Sequence, residues 1–114
     1  MEDPIFRPLA LRQAETRSAA GCAPVYLYRF DWESPVLDGA LGSTHCMELP
    51  FVFDNVELHR TLTGGCPQDV ELGHRISSLW SSFARTGTPA AENMPAWETY
   101  PACMYFNTES RLEK

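Results

Sequence analysis

The segment that most constrains this chain is Pro24-Val25-Tyr26-Leu27-Tyr28-Arg29-Phe30, a run that is apolar at nearly every position. Successive side chains in a strand point to opposite faces, so a continuous apolar run needs both faces covered. Its β-branched and aromatic residues favour a strand over a helix. The run therefore predicts a strand buried inside a parallel or mixed sheet. The stretch before it reads as a helix. Asp3-Pro4 supplies a capping residue followed by proline at the first helical position. Ile5, Phe6, Leu9, Ala10 and Ala14 then recur on roughly one face, and Gly21 is a good stop. Pro8, about one turn in, should kink this helix or delay its regular part. A helix feeding a doubly covered strand points to an α/β layer architecture.

Beyond the strand the periodicity fails from Asp31 to Asp54. Ser34-Pro35-Val36-Leu37-Asp38-Gly39-Ala40-Leu41-Gly42-Ser43-Thr44-His45 is rich in Gly, Pro and Ser and reads as a long loop. Long loops inside compact domains are usually functional or disordered. Phe51-Val52-Phe53 offers an apolar anchor for its far end, and Gly64 to Pro67 reads as a turn. Leu72, Ile76, Leu79, Trp80 and Phe83 then form the stripe of a strong amphipathic helix, with Asp69 as its cap or first-turn acid. Gly87 and Pro89 end that helix, and Met104-Tyr105-Phe106 reads as a short last strand. Packing is the default role for Trp80 and Phe83, with Trp97 and Tyr100 covering the helix end.

With 114 residues the chain is one domain at most, residues 1–114. Nine basic against fifteen acidic residues give a net charge of −6, which argues against nucleic-acid binding. No apolar run is long enough to span a membrane, and the acidic Met1-Glu2-Asp3-Pro4 start does not read as a signal peptide. Cys22, Cys46, Cys66 and Cys103 are widely spaced and are expected to be reduced, in a reducing, cytoplasmic compartment. Cys46, His45, His59, Cys66 and His74 match no metal-ligand spacing, so neither metal nor cofactor is expected. Cys46 adjoins His45, but neighbouring side chains rarely converge, so a Cys-His nucleophile is not expected either.

Four motifs occur together and in order. They are the 24–30 strand, Gly42-Ser43-Thr44-His45-Cys46-Met47-Glu48-Leu49-Pro50-Phe51-Val52-Phe53, Trp80-Ser81-Ser82-Phe83-Ala84-Arg85-Thr86-Gly87-Thr88-Pro89, and Trp97. In this arrangement the chain resembles type-B carboxylesterases, the group of the cholinesterases and p-nitrobenzyl esterases, from about Asp3 to Asn107. The resemblance implies a partial α/β-hydrolase, the C-terminal fragment of a fold several times longer. It implies that His45 is the general base of a Ser-His-Glu triad acting on carboxylic esters. The residues alone allow that role or an ordinary loop histidine. The loop's position after a buried strand is where α/β sheets place their chemistry, and histidine changes charge near neutral pH. Glu48 matches an acid often found three residues after that histidine; it either orients the loop or is solvated, and is not assigned as the triad acid.

Other parts of such an enzyme have no counterpart in the sequence. No serine has glycine at both the −2 and +2 positions of a G-x-S-x-G elbow. Gly64-Gly65 lacks the histidine of an HGG-type oxyanion run, and no acid upstream of His45 matches the triad motif. A base without its nucleophile loses on the order of 10⁶ in turnover, so the chain alone is expected to be inactive. It reads as the product of a truncated or split gene, as a non-catalytic interaction module or remnant, or as one subunit of a split esterase whose partner bears the serine. A strand built to be flanked on both edges also predicts self-association, most simply as a two-fold homodimer.

Overall fold

A computed structural model describes residues 4–114. The chain runs helix α1 (Phe6–Ala20), strand β1 (Leu27–Phe30), a 3-10 turn (Val36–Gly39), short helices α2 (Leu49–Val52) and α3 (Arg60–Thr63), long helix α4 (Pro67–Thr86), and strands β2 (Cys103–Phe106) and β3 (Arg111–Glu113). The sheet order is β1-β2-β3, with β1 parallel to β2 and β2 antiparallel to β3. Parallel strands need a long crossover, and here the histidine loop, α2, α3 and α4 make it. The result is a partial α/β fold built on a small mixed sheet.

The strand expected over 24–30 is shorter at its start. Pro24 brings no N–H to a ladder, and the Tyr100 N–H donates to the Val25 carbonyl (2.7 Å) outside the regular pairing. Regular pairing begins at Leu27 opposite Cys103 and runs to Phe30 opposite Phe106. Tyr26, Tyr28 and Phe30 share the face that meets α4 and α2. Tyr28 sits 5.1 Å from Trp80 and Phe30 sits 5.0 Å from Phe51, centroid to centroid. β1 lies at the sheet's edge in this chain, so Tyr28 stays 38 % exposed rather than fully enclosed.

Helix α4 forms as its stripe dictates. Pro67 opens it, Gly87 closes it in the left-handed conformation, and Leu72, Ile76 and Leu79 are buried. These meet Phe51, Val56, Met104 and Phe106 in the core. Fully burying a Phe or Ile side chain stabilises a fold by about 1.5–3 kcal/mol. Trp97 covers the sheet beside Trp80 and Phe106, and its indole N–H donates to the Leu27 carbonyl (3.2 Å). Phe83, expected on the packed stripe, is half exposed near the helix end.

Helix α1 departs most from expectation. It ends at Gly21 as predicted, in the left-handed conformation with the Gly21 N–H donating to Ser18. The regular helix starts at Phe6, which puts Pro8 in the first turn, where a missing N–H leaves no bond unmade. The expected cap at Asp3 lies outside the described residues. Of the apolar stripe only Ala14 is buried, while Ile5, Phe6 and Leu9 are exposed. The helix lies on the sheet face opposite α4, with Arg7 close enough to Cys103 for its charge to act on the thiol.

Candidate active site

His45 is carried by the loop that leaves the C-terminal end of β1, and its own position is exposed. Two anchors flank it. The Ser43 hydroxyl donates to the Phe30 carbonyl at 2.7 Å, tying the loop to the last residue of β1. Two residues after the histidine, Met47 is 3 % exposed and packs into the core cluster with Phe51 and Trp32. The loop around the imidazole is thus anchored between a hydrogen bond and a hydrophobic plug. Cys46, next in sequence, takes a left-handed φ of 69°, a conformation that L side chains adopt at some expense. It turns the chain sharply enough for Met47 to point inward while His45 points out.

The remainder of the loop is stiffened by local bonds. The Ser34 N–H donates to the Gly42 carbonyl at 3.1 Å, closing the Ser34–Gly42 bridge. The buried Ser34 hydroxyl donates to the Leu62 carbonyl. Leu37 and Asp38, within the 3-10 turn, both have positive φ. At the loop's entrance the Asp31 and Trp32 N–H groups both donate to the Phe106 carbonyl (2.9 and 3.1 Å). The Trp32 indole N–H donates to Asp69 Oδ1 at 3.0 Å, and both side chains are buried. Burial raises the Asp69 carboxyl above its ordinary range, and the Trp32 hydrogen bond partly opposes that.

The histidine faces an open groove of about 890 Å³ between α1 and the sheet. Phe6, Arg7 and Ala10 line it from α1, Tyr28 and Arg29 from β1, and His45 with Glu48 from the loop. The Phe6 ring stacks on the imidazole, with centroids 4.9 Å apart and planes inclined by 10°. Glu48 is half-buried at the start of α2. Burial pushes the Tyr28 hydroxyl above its usual pKa, and the nearby Glu48 carboxylate adds to the effect. Glu48 thus lies on the same side of the loop as the groove. A different histidine, His74 of α4, has its Nδ1 2.5 Å from Asp54 Oδ1. Among the described residues no three His, Cys, Asp or Glu side chains converge as a metal site would require, and no helix is long and apolar enough to cross a membrane.

Sequence reasoning read the loop that carries His45 but missed Phe6 as the ring stacked on that histidine, Ser43 as the loop's tether and Asp69 as a buried group. Asp69 was detectable in part. It lies three residues before Leu72, on the apolar stripe itself, where a carboxylate has to find a donor.

The carboxylesterase family model matches residues 1–113. The chain is 36 % identical over 104 residues to a phenmedipham hydrolase of Pseudarthrobacter oxydans, covering 88 % of this chain and 21 % of that protein. It is 40 % identical over 103 residues to a para-nitrobenzyl esterase of Bacillus subtilis, covering 85 % and 20 %. Among solved structures, an esterase from anaerobic Clostridium hathewayi that can hydrolyse aliphatic aromatic polyesters superposes with a TM-score of 0.86 at 28 % identity, covering 97 % of this chain and 22 % of that one. A thermophilic p-nitrobenzyl (PNB) esterase superposes with a TM-score of 0.66 at 35 % identity, covering 80 % and 20 %. The chain therefore spans about one-fifth of the length of the relatives it matches. With the sequence and the fold in agreement over nearly all of its length, this chain belongs to the carboxylesterase family.

Proposed function

We propose that this chain supplies the general base, His45, of a serine-type carboxylesterase, and that the nucleophile, oxyanion hole and triad acid come from residues outside this sequence. The observation that carries the reading is the mounting of His45. It stands exposed just past the C-terminal end of a parallel strand, tethered by Ser43 on one side and plugged by Met47 on the other. An imidazole so held takes the proton from a serine hydroxyl as it attacks an ester carbonyl, then returns it to the leaving alkoxide. Glu48, at the same end of the groove, orients the loop and is not the triad acid. The missing groups reach His45 from the open side of the groove, either from the same polypeptide or from a second chain.

The Phe6 ring on the imidazole favours a second reading for the chain by itself, a binding role without chemistry, because it covers one face of the base. A fluorophosphonate serine-hydrolase probe, read by intact mass, tests the proposal. The chain alone should show no mass increase. A hybrid in which residues 1–113 replace the matching stretch of the Bacillus subtilis para-nitrobenzyl esterase should be labelled once, and His45→Gln should abolish that labelling. Labelling of the isolated chain would sink the proposal, as would undiminished labelling of the H45Q hybrid.

A further inference from the structure

We infer that Asp69 and Trp32 form a brace that fixes the loop carrying His45, making Asp69 a positioning residue for that imidazole. The brace is assembled from three separate parts of the chain. Trp32 lies at the entrance of the loop, and its indole N–H donates to Asp69 Oδ1 at 3.0 Å. Asp69 is itself set in the first turn of α4, where its N–H donates to the Cys66 carbonyl at 2.9 Å. The other side of the indole bears on Phe51 of α2, centroid to centroid 4.8 Å, at the loop's exit. Met47, the plug beside His45, is buried in the same cluster. One ring is therefore in contact with both ends of the segment that presents the histidine, and α4 holds that ring.

A purely adhesive role does not account for the carboxylate. Asp69 is 3 % exposed and lies on the same stripe as Leu72 and Ile76. An apolar side chain there would extend the stripe without desolvating a charge. What the carboxylate adds is direction. Apolar packing lets an aromatic ring slide or tilt, whereas a hydrogen bond to an ionisable oxygen fixes the azimuth of the indole. A fixed indole fixes Phe51 and the start of α2, and through Met47 the height at which His45 stands. Loose mounting of a general base is a recurrent cause of lost turnover when binding is intact.

The chemical consequence rests on the reading of His45 as a base, but the brace itself does not, and the experiment separates them. Amide hydrogen exchange is followed in the whole chain for wild type, Asp69→Ala, Asp69→Asn and Trp32→Phe. Asp69→Asn keeps an oxygen acceptor for the indole, and Trp32→Phe keeps an aromatic ring on Phe51 without the N–H. The brace predicts that D69A and W32F speed exchange at the hydrogen-bonded amides of Met47, Leu49, Phe51 and Val52 by about tenfold or more relative to the middle of α4. D69N should stay within about twofold of wild type there. Uniform acceleration across loop and helix would overturn the brace, because it would mark a merely structural loss, and so would D69N behaving like D69A. If D69A does not fold, W32F against D69N decides. In the hybrid esterase the brace further predicts a fall in kcat for W32F with KM little changed. A protected loop combined with an H45Q hybrid that stays active would leave the brace standing and remove the base.

Discussion

Gly73→Ala probes the joint on which the histidine loop rests. Gly73 lies on the buried face of α4, where a Cβ would come within 2.8 Å of Val56 Cγ2, and within 3.8 Å of both Asp54 Oδ1 and the Phe51 Cα. Carbon atoms in good contact sit roughly 3.5–4.0 Å apart, so the two segments must part by about 1 Å. Val56 is 2 % exposed and has no space to retreat into. The load passes to α2 and, through it, to the exit of the histidine loop. Overpacking of this kind costs about 1–3 kcal/mol, while replacing glycine by alanine in a helix returns up to ~1 kcal/mol. The net expectation is a loss of up to about 2 kcal/mol, or a Tm lower by up to roughly 10 °C in a chain of this size. Urea and thermal unfolding read by tryptophan fluorescence measure it. Val56→Ala, destabilising by itself, should relieve part of the clash, so that the double variant loses at least ~1 kcal/mol less than the sum of the two. A stabilising G73A, or strict additivity with V56A, would refute the close contact of α4 with the α2 segment.

Three further outcomes follow from the same geometry. Burial raises the Asp69 pKa above its ordinary value of 3.8, so the folded state holds the proton more tightly than the unfolded one. The stability from this group is fully present below the unfolded pKa and is lost as pH rises through the folded one. Asp69→Asn should therefore compare more favourably with wild type at neutral pH than near pH ~3.5, in paired unfolding curves. Cys46→Gly relieves a left-handed φ of 69° and should leave stability unchanged or raised by up to ~1 kcal/mol, whereas Cys46→Ala keeps the strained φ and gains nothing; differential scanning calorimetry distinguishes the two. Ser43→Ala removes the bond to Phe30 and should lower stability by about 1 kcal/mol, with faster exchange of the Met47 amide, which donates to Thr44, in hydrogen-exchange mass spectrometry.

Helix α4 was legible because its apolar stripe, first-turn Asp69 and closing glycine all agree, although Pro67, read as part of a turn, is in fact its first residue. The histidine loop was legible because glycine, proline and serine break periodicity directly after an apolar strand. β1 was found but begins late, since Pro24 to Tyr26 look like strand in composition while Pro24 carries no ladder donor. β3 was not legible. Arg111-Leu112-Glu113 has a single apolar residue, and the strand exists because β2 offers it an edge and Arg111 lies over the Tyr105 ring, 4.6 Å from its centroid. α3 likewise depends on a tertiary bond, the buried Thr63 hydroxyl donating to the Val56 carbonyl at 2.8 Å. The first helix misled in a different way. Its apolar residues are real, but Phe6 and Leu9 remain on the surface in this chain, and a periodic pattern carries no information about which partner covers it. The same limit hid the mounting of His45. A motif marks the histidine, whereas its height and direction come from Ser43, Met47, Trp32 and Asp69, which meet only after folding.

The central claim is that His45 acts as a general base. The most direct measurement is ester turnover by the hybrid that carries residues 1–113 within the Bacillus subtilis para-nitrobenzyl esterase, with and without His45→Gln, on a chromogenic p-nitrophenyl ester. The account predicts an active hybrid whose kcat falls by about 10⁴–10⁶ on H45Q with KM little altered. An H45Q hybrid that keeps kcat within about tenfold of its parent would contradict it.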